Sequence, residues 1–483
     1  MRKSLTFNHM RKSWLYLLEG RQKSPFAPIR NNLINVTGMP GAYVGSKEIG
    51  VLYISQPVGF IVKDDEHALE LKDELADWLI TERAVPLQFD DEPGRTYFAE
   101  IEGTIEDFSR FVDQRKGVIT FLCADPFSYG QELTQEFTQD SAIVENPGTA
   151  PADPIFELEV IEPTTFAMVQ NGEDEYMAIG RPYEENEVPT SDRETILNDD
   201  ASSLVGWSHL TGGSTLYNLG LVGGQMATNG YAFYPESYGS NPNGWVGPAI
   251  KRSLTEQLQD FEVIIDIAML NRLGGVGQIR LLGLDANDKI VFSMGMMDST
   301  SSKANNRAIY GLGENNATWF AYQGDNNQVV WNDARLWLRL RRRGNEFEAW
   351  IAEKLDPQGI RLTGRHTRTL TDHEGKYQAK LAQVVIYMAG ARNFAHFPMY
   401  FHHLTVTKLI NLADYEVPYI ARVGDIITFD HTNEGDILIN GEPRNDLKDF
   451  GGSFFTLNKG FNQLTVFPFE TFNTKLRFRP RYR

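Results

Sequence analysis

The chain has 483 residues and a formal charge of −18, from 46 Lys plus Arg against 64 Asp plus Glu. A balance that acidic works against a polyanionic partner and argues against nucleic-acid binding by the chain as a whole. The single cysteine, Cys123, excludes an intrachain disulfide scaffold and a zinc site built on clustered thiolates.

Length alone points to roughly three domains, at about 150 residues each. The start does not read as an export signal. Met1-Arg2-Lys3 is basic, but no apolar run of about 7–15 residues follows it. The longest apolar stretches, such as Val384-Val385-Ile386-Tyr387-Met388-Ala389, are strand-sized and too short for a bilayer. The expectation is a chain made in a reducing cytosol, or assembled there into something larger.

Most of the sequence reads as β: short alternating runs punctuated by Gly, Pro, Asn and Asp. One segment reads as helix, from Asp64 to about Glu82, where Ala68, Leu71, Leu75, Trp78 and Leu79 make one apolar stripe. Asp64 or Asp65 is suited to cap its start. Strands are expected over 50–63, 85–89 and 97–108, and again from Gly117 to Cys123, stopping at Asp125-Pro126. Cys123 reads as a buried small apolar residue.

A second unit starts near Asn146-Pro147-Gly148, with a half-buried strand from Ile155 to Val160. Residues 173–200 carry ten acids and two bases, a net −8, and read as a solvated connector. A third unit, 196–412, holds six of the eight tryptophans. Its strands are clear: in Phe261–Met269 every odd position is apolar, and strands follow at 278–284, 289–294, 336–341, 347–352, 381–388 and 403–409. That unit is sized for one jelly-roll sandwich. The final segment, 413–483, is again β, with Asn440-Gly441 as a primed-type turn. Alone it makes a thin core, so it is expected to complete the sheet begun at Ile155, leaving 196–412 as an insertion.

Four stretches carry a family resemblance. They are Ser4-Leu5-Thr6-Phe7-Asn8-His9 through Gly38-Met39-Pro40-Gly41-Ala42-Tyr43; Cys123-Ala124-Asp125-Pro126-Phe127-Ser128-Tyr129-Gly130; Asn146-Pro147-Gly148 through Pro154-Ile155; and Gly424-Asp425 to Arg444 with the ending Phe478-Arg479-Pro480-Arg481-Tyr482-Arg483. In order and spacing they resemble the distal tail proteins, the baseplate hub or adaptor family of long-tailed phages (siphophages) infecting Gram-positive bacteria. The resemblance implies a mainly β chain. It comprises an N-terminal β-sandwich with one helix over 1–145 and a galectin-like C-terminal β-sandwich from 146–195 and 413–483. The insert, 196–412, is then a jelly-roll, lectin-like or concanavalin-like domain of carbohydrate-binding-module type. It also implies a hexameric ring joining the tail tube to the tip, and an arm within residues 20–50 that packs on the neighbouring subunit. The implied partners are other copies of the chain, the tail tube protein, a tail-tip or tail-associated protein, the tape measure protein and, through the insert, host cell-wall polysaccharide. The implied location is the tail tip of the virion, assembled in the host bacterial cytoplasm.

Three aromatic groups in the insert are candidate glycan contacts. In the hairpin around Arg342-Arg343-Gly344-Asn345, Leu336, Leu338, Leu340, Phe347, Ala349 and Ile351 read as core. Trp337 and Trp350 then point the other way, with Arg339, Arg341 and Glu348. A turn centred between residues 343 and 344 makes the two tryptophans direct partners. Indole faces stack on sugar C–H faces, and Arg and Glu bind hydroxyls. The second group is Tyr231, Phe233, Tyr234, Tyr238 and Trp245, with Asn241 and Asn243 nearby; the third is Trp319, Tyr322, Asp325, Asn326, Asn327 and Trp331. The competing expectation for each is packing. A glycan-degrading enzyme is the alternative for the insert, but the Glu-x-Asp-x-x-Glu pattern is missing and Glu262 and Asp266 read as a solvated sheet face. A spacer is the other alternative. His402 and His403 are adjacent and are expected on opposite sides of a strand. His366 and His373 show no ligand spacing. No catalytic residue, metal site or cofactor is expected. Lys475, Arg477, Arg479, Arg481 and Arg483 read as a basic edge that either blocks strand addition or docks an acidic surface.

Overall fold

The computed structural model describes residues 3–103, 116–172, 174–216, 218–240, 244–271, 275–314, 317–322, 331–354, 362–391 and 394–483. The chain is almost entirely β and divides into two compact units. The first takes in Met1–Arg181, Ala421–Ile439 and Pro443–Arg483; the second takes in Pro182–Ile420 and Asn440–Glu442. Among the described residues no helix is long and apolar enough to cross a membrane.

The N-terminal part is one seven-stranded antiparallel sheet. Leu5–Phe7, Val85–Phe89, Tyr97–Ile101, Lys116–Cys123, Leu52–Phe60 and Leu15–Leu17 lie side by side in that order, and Gln22–Lys23 also pairs with Leu52–Phe60. The sheet curls until its edges meet, where the Leu17 N–H donates to the Lys3 carbonyl at 2.8 Å. The helix Asp65–Leu79 closes the open side. Its stripe behaves as the spacing predicts, with Leu71, Leu75, Trp78 and Leu79 all buried. Asp64 caps it by accepting from the His67 N–H at 2.8 Å. Trp78 is tied to the sheet twice, by its indole N–H to the Phe7 carbonyl at 3.0 Å and by an edge contact with the Phe7 ring. Cys123 is fully buried, and burial, with Asp125 adding, pushes its thiol up to about 12.

One element here has no sequence signal. Ile29–Ile34 and Tyr43–Ile49 form a two-stranded hairpin in which every residue is exposed. A hairpin with no second layer has no buried face, so it shows no alternation to read.

The C-terminal sandwich is assembled from both ends of the insert. Leu133–Glu136, Phe472–Phe478, Pro154–Val160, Ile426–Asp430 and Asp436–Ile439 run side by side in one sheet. Ser141–Asn146, Gly460–Phe467, Phe166–Asn171 and Glu175–Gly180 form the other. Phe156, Leu158, Ile427, Phe429 and Leu476 fill the core from one sheet, and Val144, Ala167, Val169, Leu464 and Val466 from the other. Asn440 and Gly441 both have positive φ (52° and 77°), as a type I′ turn requires.

Two expectations need correcting here. Residues 173–200 are not a plain solvated connector, because Glu175–Gly180, Val188–Thr190 and Arg193–Asp199 are strands. Its acids are partly in use: Asp199 is buried and accepts from the Trp207 indole at 2.9 Å and from Arg252 at 2.6 Å. The basic C-terminal residues do not form a free edge either. Phe472–Phe478 is paired on both sides, and Arg477 and Lys475 meet Glu157 at 2.6 and 3.7 Å, while Arg481 meets Asp153 at 2.7 Å.

The second unit is a two-sheet sandwich. The first sheet runs Gln225–Thr228, Phe233–Ser237, Met399–Leu409, Phe261–Met269, Ala334–Arg343, Glu346–Lys354 and Leu362–Thr371, with Arg193–Asp199 also on Met399–Leu409. The second is built on Leu381–Ala391, Gly277–Leu284, Ile290–Asp298, Arg307–Leu312 and Ala317–Tyr322. Phe261, Val263, Ile265, Leu336, Leu338, Leu340, Phe347 and Ile351 meet Ile279, Leu281, Phe292, Met294, Ile386 and Met388 in one core. A smaller core, with Leu216, Leu219, Val222, Leu282 and Tyr387, lies on the far face of the second sheet under the 208–222 flap. The ends of the unit lie together, since Val188–Thr190 pairs in parallel with Glu416–Pro418.

His431, just past Ile426–Asp430, is a buried imidazole among Phe156, Phe454 and Phe455, with ring centroids 5.6, 5.3 and 4.4 Å away. Burial lowers its pKa to about 4. The neutral ring is the folded form, so the stabilisation is complete above pH 6.5 and is lost as pH falls through 4. That drop is worth roughly 3 kcal/mol. Denaturant unfolding of the sandwich at pH 7 and pH 4 is expected to show that loss in the wild type and a clearly smaller one in His431→Leu; equal pH slopes would contradict the assignment.

Candidate functional site

The outer face of the first sheet of the insert carries the chemistry. Because Val263, Ile265 and Ile267 point into the core, Glu262, Ile264, Asp266 and Ala268 point out. The register lays residues across the sheet in rows. One row is His403, Asp266, Trp337 and Ala352; the next is Thr405, Ile264, Arg339, Trp350 and Thr367; a third is Thr407, Glu262, Arg341, Glu348 and Thr369.

The face is highly charged, and its charges are spoken for. Asp266 is 2% exposed and takes a two-pronged bond from Arg335, at 2.7 and 2.8 Å, and another from Lys354 at 2.8 Å. Burial pushes its carboxyl up, and the hydrogen bonds from Arg335 and Lys354 more than undo this, so it sits below the usual carboxylate range. Glu262 meets Arg193 at 3.2 Å and Arg339 at 3.9 Å; Glu348 meets Arg339 at 2.5 Å and Arg341 at 2.8 Å.

This geometry corrects the reading of Glu262 and Asp266 as solvated, since both are buried ion-pair partners. It also bears on catalysis. Four residues along a strand span about 13 Å, beyond the roughly 5–9.5 Å that separates a glycosidase pair.

The tryptophan hairpin differs from expectation in one respect. The six residues read as core are buried at 1% or less, and Trp337 and Trp350 share the opposite face. The turn, however, is Gly344-Asn345, closed by Arg343 opposite Glu346. Gly344 takes φ +59°, which glycine adopts without strain. Pairing therefore shifts by two residues, and Trp337 faces Ala352 while Trp350 faces Arg339. Trp350 is enclosed, 6% exposed with Arg339 over its face, and Trp337 is half-buried, with Lys354 5.3 Å from its ring centroid.

The other candidates separate. Trp331 is 1% exposed in the main core, so it is corrected to a packing residue. Trp245 packs against the smaller core beneath the flap. Trp319 lies on the Ala317–Tyr322 strand, its side chain outside the described residues, as are Asn241, Asn243, Asp325, Asn326 and Asn327. Tyr231 is 65% exposed, and Tyr234 follows the core residue Phe233 and so points outward.

What the sequence reasoning missed stands beside them. The Tyr231 ring lies within 13° of parallel to His402, centroids 6.4 Å apart, and Tyr400 flanks His402 at 6.0 Å. His402 Nδ1 lies 3.3 Å from the Tyr231 carbonyl. His402 and His403 do not point to opposite sides, as expected. A register shift between Asp266 and Ile267 makes a bulge, and the flanking Phe401 and Leu404 both enter the core, so both imidazoles stand on the outer side. The signal was there: apolar residues fall at 399, 401, 404, 406 and 409, so the alternation breaks at 402–403 and again at 407–408. Burial lowers both imidazole pKa values; Arg335 lowers His402 further, and Asp266 raises both. Both rings are thus neutral at pH 7, each with one donor and one acceptor nitrogen.

The exposed Tyr231 ring, parallel to the half-buried neutral His402 and beside a fixed Asp–Arg–Lys cluster, makes a shelf suited to a polyol ring, with an apolar face for C–H groups and polar atoms for hydroxyls.

Comparison with known proteins addresses the rest of the chain. The family model described as a phage tail protein RIFT-related domain matches residues 10–123, and that described as a siphovirus-type tail component, C-terminal domain, matches 396–482. The distal tail protein of Bacillus phage SPP1 is 38% identical over 74 residues, which is 14% of this chain and 27% of that relative, so the match spans about a quarter of its length. The solved structure of SPP1 Dit aligns with 38% of this chain and 75% of its own at 19% identity and a TM-score of 0.33. The CBM2 module of the evolved Dit of Lactobacillus casei BL23 phage J-1 aligns over 46% of this chain and 98% of its own at 14% identity and a TM-score of 0.38.

Removing the Asp266 carboxylate leaves Arg335 and Lys354 facing each other without their shared counter-charge. Asp266→Asn is expected to cost about 3 kcal/mol in chemical unfolding of the insert; a cost under about 0.5 kcal/mol, the scale of an ordinary surface change, would contradict the cluster's structural role.

Proposed function

The chain belongs to the siphovirus-type distal tail proteins, and from that premise we propose that six copies form a ring at the tail tip whose inserts hold host cell-wall glycan. As a distal tail protein it is a virion component that assembles with other tail proteins. The proposal adds the hexamer, a place between the tail tube and the tip or adsorption apparatus, contacts with the tube, tail-associated and tape measure proteins, assembly in the cytoplasm of a Gram-positive host, and a sugar ligand.

The ring reading is supported by the 29–49 hairpin. Leu33, Ile34, Tyr43 and Val44 are each more than half exposed on an element with no second layer of its own. Apolar surface of that kind is stabilised by covering it, and a neighbouring copy is the cover proposed. The glycan reading is carried by one observation, the exposed Tyr231 ring set parallel to His402 beside Tyr400. Binding is favoured over hydrolysis because Glu262, Asp266 and Glu348 on this face are all engaged by cations, and Glu262 and Asp266 are set far apart along their strand.

The ring is expected at about six times the 54.7 kDa chain mass in light scattering of the purified protein, and Leu33→Glu with Val44→Glu is expected to leave a folded monomer. A wild-type monomer at high concentration would contradict it. For the glycan, full-length protein is expected to pull down host cell-wall polysaccharide without releasing reducing ends. Tyr231→Ala or His402→Ala is expected to weaken binding about tenfold, the scale of 1.4 kcal/mol of lost contact, with Trp245→Phe unchanged. Steady release of reducing ends would replace the binding reading with the enzymatic one, and no binding would leave the insert a spacer.

A further inference from the structure

The far sheet of the insert holds a buried positive charge that no acid among the described residues neutralises. Arg280 lies in Gly277–Leu284 between Ile279 and Leu281, which both enter the main core, so its side chain points to the sheet's outer side with Gln278 and Leu282. It is 4% exposed. Of a guanidinium's five N–H groups, Nε donates to Gln278 Oε1 at 3.3 Å and one Nη to the Ile309 carbonyl at 3.2 Å. Among the described residues no carboxylate pairs with it.

Its charged neighbour is another cation. Arg307 and Ile309 stand on the outer side of Arg307–Leu312, because Ala308 and Tyr310 face the core. Arg307 donates one Nη to Ser299 Oγ at 2.8 Å, while its Nε is buried without a partner among the described residues. The acid beside Ser299 in the chain, Asp298, is spent elsewhere: it accepts from the N–H groups of Thr300 and Asn305 and from the Asn271 amide.

The register sets the two arginines on one face, with Arg307 two residues from the Ile309 carbonyl that accepts from Arg280. Gly295 lies in register between Arg280 and Ile309, and a Cβ there would meet the Ile279 carbonyl at 2.0 Å. The flap roofs this side, where Gln278 donates to the Leu219 carbonyl and the Tyr387 hydroxyl to that of Leu221. Burial and the nearby Arg307 lower the Arg280 guanidinium to about 10, which still leaves it charged at neutral pH.

An ion taken out of water without a partner costs several kcal/mol, and a second like charge beside it raises that cost. An oxyanion between two guanidinium forks relieves both, with short charge-assisted bonds. We propose that Arg280 and Arg307 form a binding site for a phosphate-type oxyanion, supplied either as free phosphate or as the phosphodiester of a cell-wall polymer. The site is separate from the Tyr231 face and does not depend on the glycan reading.

Calorimetric titration of the full-length protein with inorganic phosphate, against chloride at equal ionic strength, tests it. Saturable binding near one phosphate per chain is expected, with affinity falling at least tenfold in Arg280→Met and in Arg307→Met. Thermal unfolding gives a second readout: phosphate is expected to raise the melting temperature of the wild type and not of the variants. Arg307 is half-buried, so its variant keeps the test open where Arg280→Met fails to fold. Di-glycerol phosphate separates the sources: binding on a par with phosphate assigns the site to polymer-linked diesters, and binding of inorganic phosphate alone assigns it to free phosphate. No saturable phosphate binding, or undiminished binding in the variants, would overturn the proposal.

Discussion

The architecture depends on one hydrogen-bonded ladder. Pro154–Val160 is paired along its length with Phe472–Phe478, and on its other side with Ile426–Asp430. These partners lie some 300 residues apart in the chain, and without them the C-terminal sandwich has no second half. A loop as long as the insert adds little to the closure cost, which grows with the logarithm of length. It adds less still when the insert ties its own ends, as the parallel pair Val188–Thr190 and Glu416–Pro418 does. Ladders of such high sequence separation form late and slowly, so a large insert that buries its own core is the kind such a sheet tolerates.

The insert's two outer faces meet the same physical problem with different solutions. A sheet face rich in charge must neutralise what it buries. On the first sheet, acids and bases alternate across neighbouring strands, and Asp266, Glu262 and Glu348 each find cations. What remains free is aromatic and neutral, the Tyr231, Tyr400 and His402 group, suited to an uncharged polyol. On the second sheet no described acid pairs with Arg280 or Arg307, and the charge is the one for which an outside oxyanion is proposed.

Where a buried face imposed a period, the sequence could be read. The helix stripe of Leu71, Leu75, Trp78 and Leu79 and the odd positions of Phe261–Met269 sit where their spacing places them. The hairpin Ile29–Ile34 with Tyr43–Ile49 was illegible because it buries nothing within the chain. Faces survived where partners did not: moving the turn to Gly344-Asn345 shifts pairing by two, which keeps Trp337 and Trp350 on the predicted side but separates them. Trp331 carried no periodic context, so its core position was hidden. Arg280 was hidden for the opposite reason, since all eight residues of its strand are buried and no alternation of exposure marks its side. The bulge at His402-His403 left a one-residue break in the alternation of its strand, the kind of defect that marks functional positions.

The central claim is that the outer face carrying Tyr231, His402 and Tyr400 is where the insert holds a sugar. A crystal structure of the full-length protein soaked with oligosaccharide released from the host cell wall tests it most directly. The account predicts a sugar ring stacked against Tyr231 and His402, with hydroxyls within hydrogen-bonding distance of the imidazoles or of the Asp266–Arg335–Lys354 cluster. Ordered sugar against Trp245 and the 208–222 flap, with the Tyr231 shelf bare, would contradict it.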